Sequence, residues 1–210
     1  MRAWIFAAMP ARAEDILFYK RLKMGEDDMI ICADGGYNTA VLIGLKPDIV
    51  IGDMDSVSGV IPKGIKKIVH PRMKDKTDLH LCIDYALECG CSEIVLLSAF
   101  GGRIDHSLAS VMSLKYIMEK GAEGMLLTKK SRVFLIDGKA TIKRSIYSKI
   151  SLIPLTGTVT GVTTTGLQYP LENATLVQSA NLGISNAFCT NEATIELKAG
   201  ILCVVCESEI

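Results

Sequence analysis

The sequence predicts an α/β protein: a mostly parallel sheet with helices on both faces, followed by a smaller all-β sandwich. Three observations carry that prediction. Through about the first 130 residues, short apolar runs of strand length alternate with amphipathic segments of helical period. Four glycines, Gly25, Gly44, Gly90 and Gly121, each follow one of the helical segments, where a chain leaves a helix. From Ser131 onward the helical period disappears and short β-rich pieces follow one another between turn residues.

Taken in order, the first half predicts strands over residues 3–8, 29–33, 48–51, 65–69, 93–99 and 124–128. Helices are expected over 11–24, 37–43, 78–89 and 105–120. Strands alternating with helices imply parallel pairing and a sheet covered on both sides. In the second half, residues 133–136 and 140–143 flank Asp137-Gly138, a favoured hairpin turn. Further strands are expected over 149–155, 158–164, 174–177, 193–198 and 201–206. These patterns divide the chain into an α/β domain, residues 1–130, and a β-sandwich domain, residues 131–210.

At 210 residues the chain is long enough for two cores. Its 23 basic and 23 acidic residues cancel, so no global field points to nucleic acid or an anionic membrane. No apolar run reaches membrane-spanning length. The apolar stretch at residues 3–9 is short and is followed by Pro10, which reads as a buried first strand and not as a signal peptide. A soluble cytoplasmic protein is expected. Most of the seven cysteines sit in apolar periodic segments, where the thiol acts as a small hydrophobe. Cys203 and Cys206 have CxxC spacing, but they lie within a strand and their odd separation puts them on opposite faces.

The chemistry concentrates where strands should end. Asp53 and Asp55, in Gly52-Asp53-Met54-Asp55-Ser56, directly follow Ile49-Val50-Ile51. On an extended chain, side chains two apart point the same way, so the pair can grip one object. A hard cation carrying phosphate is the natural object for two carboxylates. Asp34 and Gly35 follow another apolar run, and Asp105 lies shortly after a third. Open α/β sheets place ligands beyond the carboxyl ends of their strands. One such acid can be a helix cap; four are not explained by capping alone. Lys74-Asp75-Lys76-Thr77-Asp78 precedes a clear helix, with Thr77 placed to cap it and lysines placed to meet phosphate. In Gly101-Gly102-Arg103-Ile104-Asp105-His106, paired glycines admit close approach and Arg103 offers a planar fork. His70 and His80 read as structural. The sequence lacks GxxxxGK[ST], GxGxxG and GxSxG. Acids, metal and scattered donors must therefore hold any nucleotide.

These residues, in this order, resemble the thiamine pyrophosphokinases. The resemblance rests on Ala33-Asp34-Gly35-Gly36, Gly52 to Ser56, Lys76-Thr77-Asp78 and Gly102 to His106. It continues in Gly166-Leu167-Gln168-Tyr169-Pro170-Leu171 and Gly183-Ile184-Ser185-Asn186, and so spans nearly the whole chain. It implies a nucleotide-binding catalytic domain over residues 1–130, a thiamine-binding and dimerisation domain over residues 131–210, and transfer of pyrophosphate from ATP to thiamine, with Mg2+, by a homodimer whose active sites lie between subunits. Carried onto this chain, Asp53, Asp55 and Asp78 are the metal acids. Asp55, Asp78, Arg103 and Asp105 are the catalytic set. Asp34, Gly35, Asp53, Ser56, Lys76, Thr77, Arg103 and His106 meet the nucleotide, and Ser185, Asn186 and Asp105 meet thiamine. The chain departs from the family pattern at Ser110, where asparagine is usual, at Met54, where an aromatic is common, and in a first loop poor in glycine. Two other readings share the same acids: a magnesium-dependent kinase or nucleotidyltransferase acting on another small alcohol, and a non-catalytic sensor of thiamine diphosphate or nucleotide.

Overall fold

A computed structural model describes residues 1–73 and 75–208. It has two compact units, Met1–Lys129 and a second from Lys130 onward. The first unit contains strands β1 (Arg2–Phe6), β2 (Met29–Ala33), β3 (Ile49–Gly52), β4 (Lys66–Val69), β5 (Glu93–Leu97) and β6 (Glu123–Leu127). Its helices are α1 (Ala13–Tyr19), α2 (Gly36–Leu42), α3 (Asp78–Glu88) and α4 (Ile104–Glu119). The strands lie in the order β6-β5-β1-β2-β3-β4, and every pair is parallel. Parallel pairing brings all six carboxyl ends to one edge.

Strand alternation divides the apolar residues between the two faces. Trp4, Phe6, Cys32, Val50, Val95 and Leu97 pack with Tyr19 of α1 and with Tyr37 and Ala40 of α2. The alternate residues Ile5, Ile31, Ile49, Ile51, Ile94 and Leu96 are equally buried. Helix α3, which contacts β1, β2 and β3, covers that second face with Cys82, Ile83 and Ala86. The fold class expected from the sequence is therefore the one observed. Helix α1 is shorter than expected. After Tyr19 the bonds tighten to Arg21 N–H on Phe18 O and Leu22 N–H on Tyr19 O, so the chain leaves the helix six residues before Gly25. The buried Tyr19 hydroxyl accepts the Ser98 N–H at 3.1 Å, which pins the helix end to the sheet.

The second unit contains β7 (Ser131–Ile136), β8 (Lys139–Lys143), β9 (Lys149–Pro154), β10 (Thr158–Thr165), β11 (Ala174–Val177), β12 (Asn186–Ala187), β13 (Glu192–Glu196) and β14 (Leu202–Glu207). The antiparallel orders are β12-β9-β14-β7 and β11-β10-β13-β8. The expected hairpin across Asp137-Gly138 does not form. Strand β7 pairs with β14, whereas β8 pairs with β13 in the other sheet. The turn is a corner between layers, held where Leu197 N–H donates to Gly138 O at 3.3 Å. Crossing there lets Ile136 and Ile142 enter the same core with Leu152, Leu176, Ile195 and Val204. The seven cysteines are free thiols, and Cys203 and Cys206 are both buried in β14. No helix among the described residues is long and apolar enough to cross a membrane.

Candidate active site

Ala33 of β2 stands opposite Ile51 of β3, and the Asp34 N–H continues the ladder onto Ile51 O at 2.9 Å. Asp34 and Gly52 therefore emerge side by side at the carboxyl edge, with Asp53 next. Asp34 and Met54 both have left-handed backbones, with φ +44° and +66°. The Asp53–Asp55 segment is consequently a turn and not the extended run expected from the sequence. The Asp55 N–H folds back onto Asp53 Oδ1 at 3.2 Å. Convergence survives by a different route. Asp34, Asp53 and Asp55 each offer a carboxylate oxygen, all within 4.8 Å of one another.

Gly52 lies between Asp34 and Asp78. A side-chain carbon there would stand 2.8 Å from Asp34 Cβ and 3.2 Å from Asp78 Oδ1. The three carboxylates drawn closest together thus include Asp34, while Asp78, the first residue of α3, also approaches the space beside Gly52. Gly36 makes a similar close approach, since a Cβ would fall 2.0 Å from Phe6 O. That contact seats the start of α2 against the end of β1.

Asp34 is buried, and its Oδ1 has no hydrogen-bond partner among the described residues. Burial raises its pKa; the Asp53 and Asp78 charges push the same way, and hydrogen bonds from Ser56 oppose them. An unsatisfied buried carboxylate oxygen beside two further carboxylates is a hard, anionic oxygen donor set, which fits Mg2+. Ser56 also donates its hydroxyl to Asp55 Oδ1 at 2.8 Å. Asn38 of α2 braces the loop, donating to Ser56 O at 2.9 Å and accepting the Ser58 N–H at 2.7 Å.

Thr77 caps α3, its hydroxyl accepting the His80 N–H at 3.2 Å. Lys76 binds Asp84 Oδ2 of the same helix at 2.5 Å. Lys74 lies outside the described residues. Beyond β5, Arg103 grips Asp105 with two hydrogen bonds, Nε to Oδ1 at 3.1 Å and Nη2 to Oδ2 at 2.6 Å. The Arg103 fork, helped by the His106 N–H at 2.9 Å, lowers the Asp105 pKa to about 2. Arg103, Asp105 and His106 are exposed. Ser110 is buried and donates to His106 O at 2.8 Å, so its hydroxyl is engaged within the helix.

In the second unit, exposed Ser185 has φ +58° and donates its N–H to Ser151 Oγ at 3.0 Å. Buried Asn186 donates to Tyr169 O at 2.7 Å and accepts the Tyr169 N–H at 3.0 Å. Its Oδ1 also takes the Ala187 N–H at 2.9 Å. The two second-half motifs read from the sequence are therefore joined by one carboxamide. Asn186 holds the loop around Tyr169 as its main observed engagement.

A model of the thiamin pyrophosphokinase catalytic domain matches residues 21–126, half of the chain. The chain belongs to the thiamin pyrophosphokinase family. A model of that family's vitamin B1 binding domain matches residues 139–202. Among its relatives, the thiamine pyrophosphokinase of Bacillus subtilis is 29% identical over 187 residues, covering 86% of this chain and 87% of its own. Thiamine pyrophosphokinase 1 of Oryza sativa is 28% identical, covering 74% and 70%. The crystal structure of the Bacillus subtilis protein superposes with a TM-score of 0.89 at 25% identity over the full length of both chains. That of the Geobacillus thermodenitrificans thiamin pyrophosphokinase gives 0.84 at 27% identity, covering 100% of this chain and 98% of its own.

Sequence reasoning left two contributors unnamed. Arg72 lies with Nε 4.0 Å from Asp55 Oδ2, an exposed pairing that contributes little stability. Asn38 braces the acidic loop from a helix that reads as packing alone. Neither forms a motif. Only its distance in space from Ser56 or Asp55 reveals it.

Proposed function

We propose that this chain transfers pyrophosphate from ATP to the hydroxyl of thiamine, giving thiamine diphosphate and AMP. The observation that carries this reading is the carboxylate trio Asp34, Asp53 and Asp55, with its unsatisfied buried oxygen, in a chain of this family. The thiamine hydroxyl oxygen attacks the β-phosphorus, its proton passes to water, and the bond from the β-phosphorus to the α–β bridging oxygen breaks, that oxygen leaving with AMP.

Residues 1–130 supply the nucleotide and metal side, and residues 131–210 supply the thiamine side. Asp53 and Asp55, with Asp78 and Asp34, would hold Mg2+, which would supply Lewis-acid charge stabilisation for the polyphosphate. Gly35, Ser56, Lys76, Thr77 and His106 contact nucleotide. Arg103 offsets charge that develops on the phosphates as the bond breaks. A carboxylate with a pKa of about 2 is a poor proton acceptor, so Asp105 serves to aim Arg103 and orient the thiamine hydroxyl, not to deprotonate it. Ser185 contacts thiamine, and Asn186 shapes the Tyr169 loop beside it. We further infer a cytoplasmic homodimer that completes each site across the subunit interface, a state that light scattering tests directly.

The deciding experiment supplies ATP with and without thiamine and identifies the nucleotide product. Thiamine-dependent AMP supports the proposal. ADP identifies an ordinary kinase, and the absence of any product identifies a binding protein.

A further inference from the structure

The first loop, which the sequence leaves poor in glycine, crosses the carboxyl end of β1. Its backbone offers little to an anion: Ala7 spends its N–H on Leu97 O at 2.8 Å, and Pro10 has none. The loop nevertheless lies at the topological switch of the first unit. Strand β1 has β2 on one side and β5 on the other, and open α/β sheets bind ligands in the crevice at such a point. Short approaches place the loop against both walls of that crevice. A side-chain carbon at Gly35, next to Asp34, would stand 3.7 Å from Ala8 Cβ. On the other side, one at Gly102 would stand 3.9 Å from Met9 Sδ, and one at Gly101 would stand 3.8 Å from Arg12 Nη2. The loop therefore runs from the acidic site at Ala8 to the Arg103 loop at Arg12.

The Arg12 side chain is 70% exposed, and its contact with Glu14 Oε1 spans 4.0 Å, too long for a hydrogen bond and worth little in water. Among the described residues no hydrogen bond engages its guanidinium. Arg103, by contrast, is closed on Asp105 through Nε and Nη2. Lys129, just past β6, lies 3.8 Å from the other oxygen of Glu14. The carboxyl edge is thus divided by charge. Carboxylates gather at the ends of β2 and β3, and cations stand past β1, β5 and β6.

We propose that Arg12 is a polyphosphate-binding residue, its guanidinium supplying the donors that a glycine-rich first loop would supply from its backbone. This rests on the ATP reading of the same edge. A polyphosphate drawn to the carboxylates through its metal turns its remaining oxygens toward the cations. A planar fork with open donors meets two of those oxygens at once. Arg12 takes the phosphates beyond the α-phosphate, so ATP feels the contact and AMP does not. No bond forms or breaks at Arg12; it binds and orients the group that is transferred.

The test measures binding of ATP, inorganic tripolyphosphate and AMP by isothermal titration calorimetry, each with Mg2+ and without thiamine, so that no turnover intervenes. Arg12→Met should weaken ATP and tripolyphosphate about tenfold, the loss of one charge-assisted fork, and change AMP by less than about twofold. Arg12→Lys keeps the charge and loses the fork, so it should recover part of the affinity. Because Arg12 is exposed, both variants should melt within about 1 °C of wild type. A general structural role would weaken all three ligands together and overturn the proposal. Arg12→Met that binds ATP within about twofold of wild type also overturns it. The wild-type chain separates the two levels. If it binds neither ATP nor tripolyphosphate, the nucleotide reading falls and Arg12 falls with it. If it binds both and Arg12→Met binds them equally well, only the role of Arg12 falls.

Discussion

Replacing Gly52 with alanine adds one carbon at the narrowest point of the site. The new Cβ would stand 2.8 Å from Asp34 Cβ and 3.2 Å from both Asp34 Cα and Asp78 Oδ1. Comfortable carbon separations are roughly 3.5–4.0 Å, so the two strand ends must part by about 1 Å. Asp34 cannot yield by a rotamer change, because the clash involves its Cβ and its backbone is already left-handed at φ +44°. Overpacking of this kind costs about 1–3 kcal/mol, which for a chain of this size lowers Tm by roughly 3–10 °C. The effect on turnover should be larger than the effect on stability. A displacement of about 1 Å in a positioned group costs on the order of a hundredfold in rate. The assay is thiamine-dependent AMP release at saturating ATP and Mg2+, alongside a thermal melt. Gly52→Ala that melts within about 1 °C of wild type and turns over within about threefold would refute the packing argument.

Other expectations follow from the same geometry. Asp55→Asn should abolish AMP release while the fold, read by circular dichroism, stays intact, since Asp55 is exposed; near-normal turnover would remove it from the metal set. Asp34→Asn should also lose activity, yet melt higher at neutral pH. Asp34 titrates higher in the folded chain than in the unfolded one, so the native state keeps the extra proton as pH rises from the ordinary carboxylate range toward the raised value. Stability therefore falls across that window, and the buried charge is a net cost above it. A lower Tm for Asp34→Asn at pH 7 would contradict this. Asn186→Ala should raise the thiamine KM roughly tenfold and leave the ATP KM within about twofold, because the hydrogen bonds it removes hold the Tyr169 backbone within the second unit. Equal effects on both KM values would show that Asn186 acts through general stability.

Much of the fold is legible because its signals are local. The alternation of apolar runs with 3.6-residue periods identifies β1 to β6 and α2 to α4 to within a few residues. Helix α1 reads longer in the sequence than it is because Arg21, Leu22 and Met24 continue its amphipathic period, while the chain leaves the helix at Tyr19, whose hydroxyl is bound by the Ser98 N–H. The Asp137-Gly138 turn illustrates the opposite limit. Its dipeptide is right for a tight turn, but turn chemistry says nothing about which strands the turn's flanks then join. Burial of Ile136 and Ile142 in a shared core sends β7 and β8 to different sheets.

The site divides in the same way. Acid type and spacing, read along the chain, determine that carboxylates gather at the ends of β2 and β3 and at the start of α3, because a parallel sheet delivers its strand ends to one edge. Which carboxylates share a cation's volume is decided only by tertiary structure. Asp34 joins Asp53 and Asp55 through strand register and two left-handed residues, and Lys76 pairs with Asp84, whose other oxygen accepts the Tyr116 hydroxyl from another helix. Periodicity and turn chemistry act over a few residues, whereas a charge responds to whatever lies within a few ångströms, however distant in sequence.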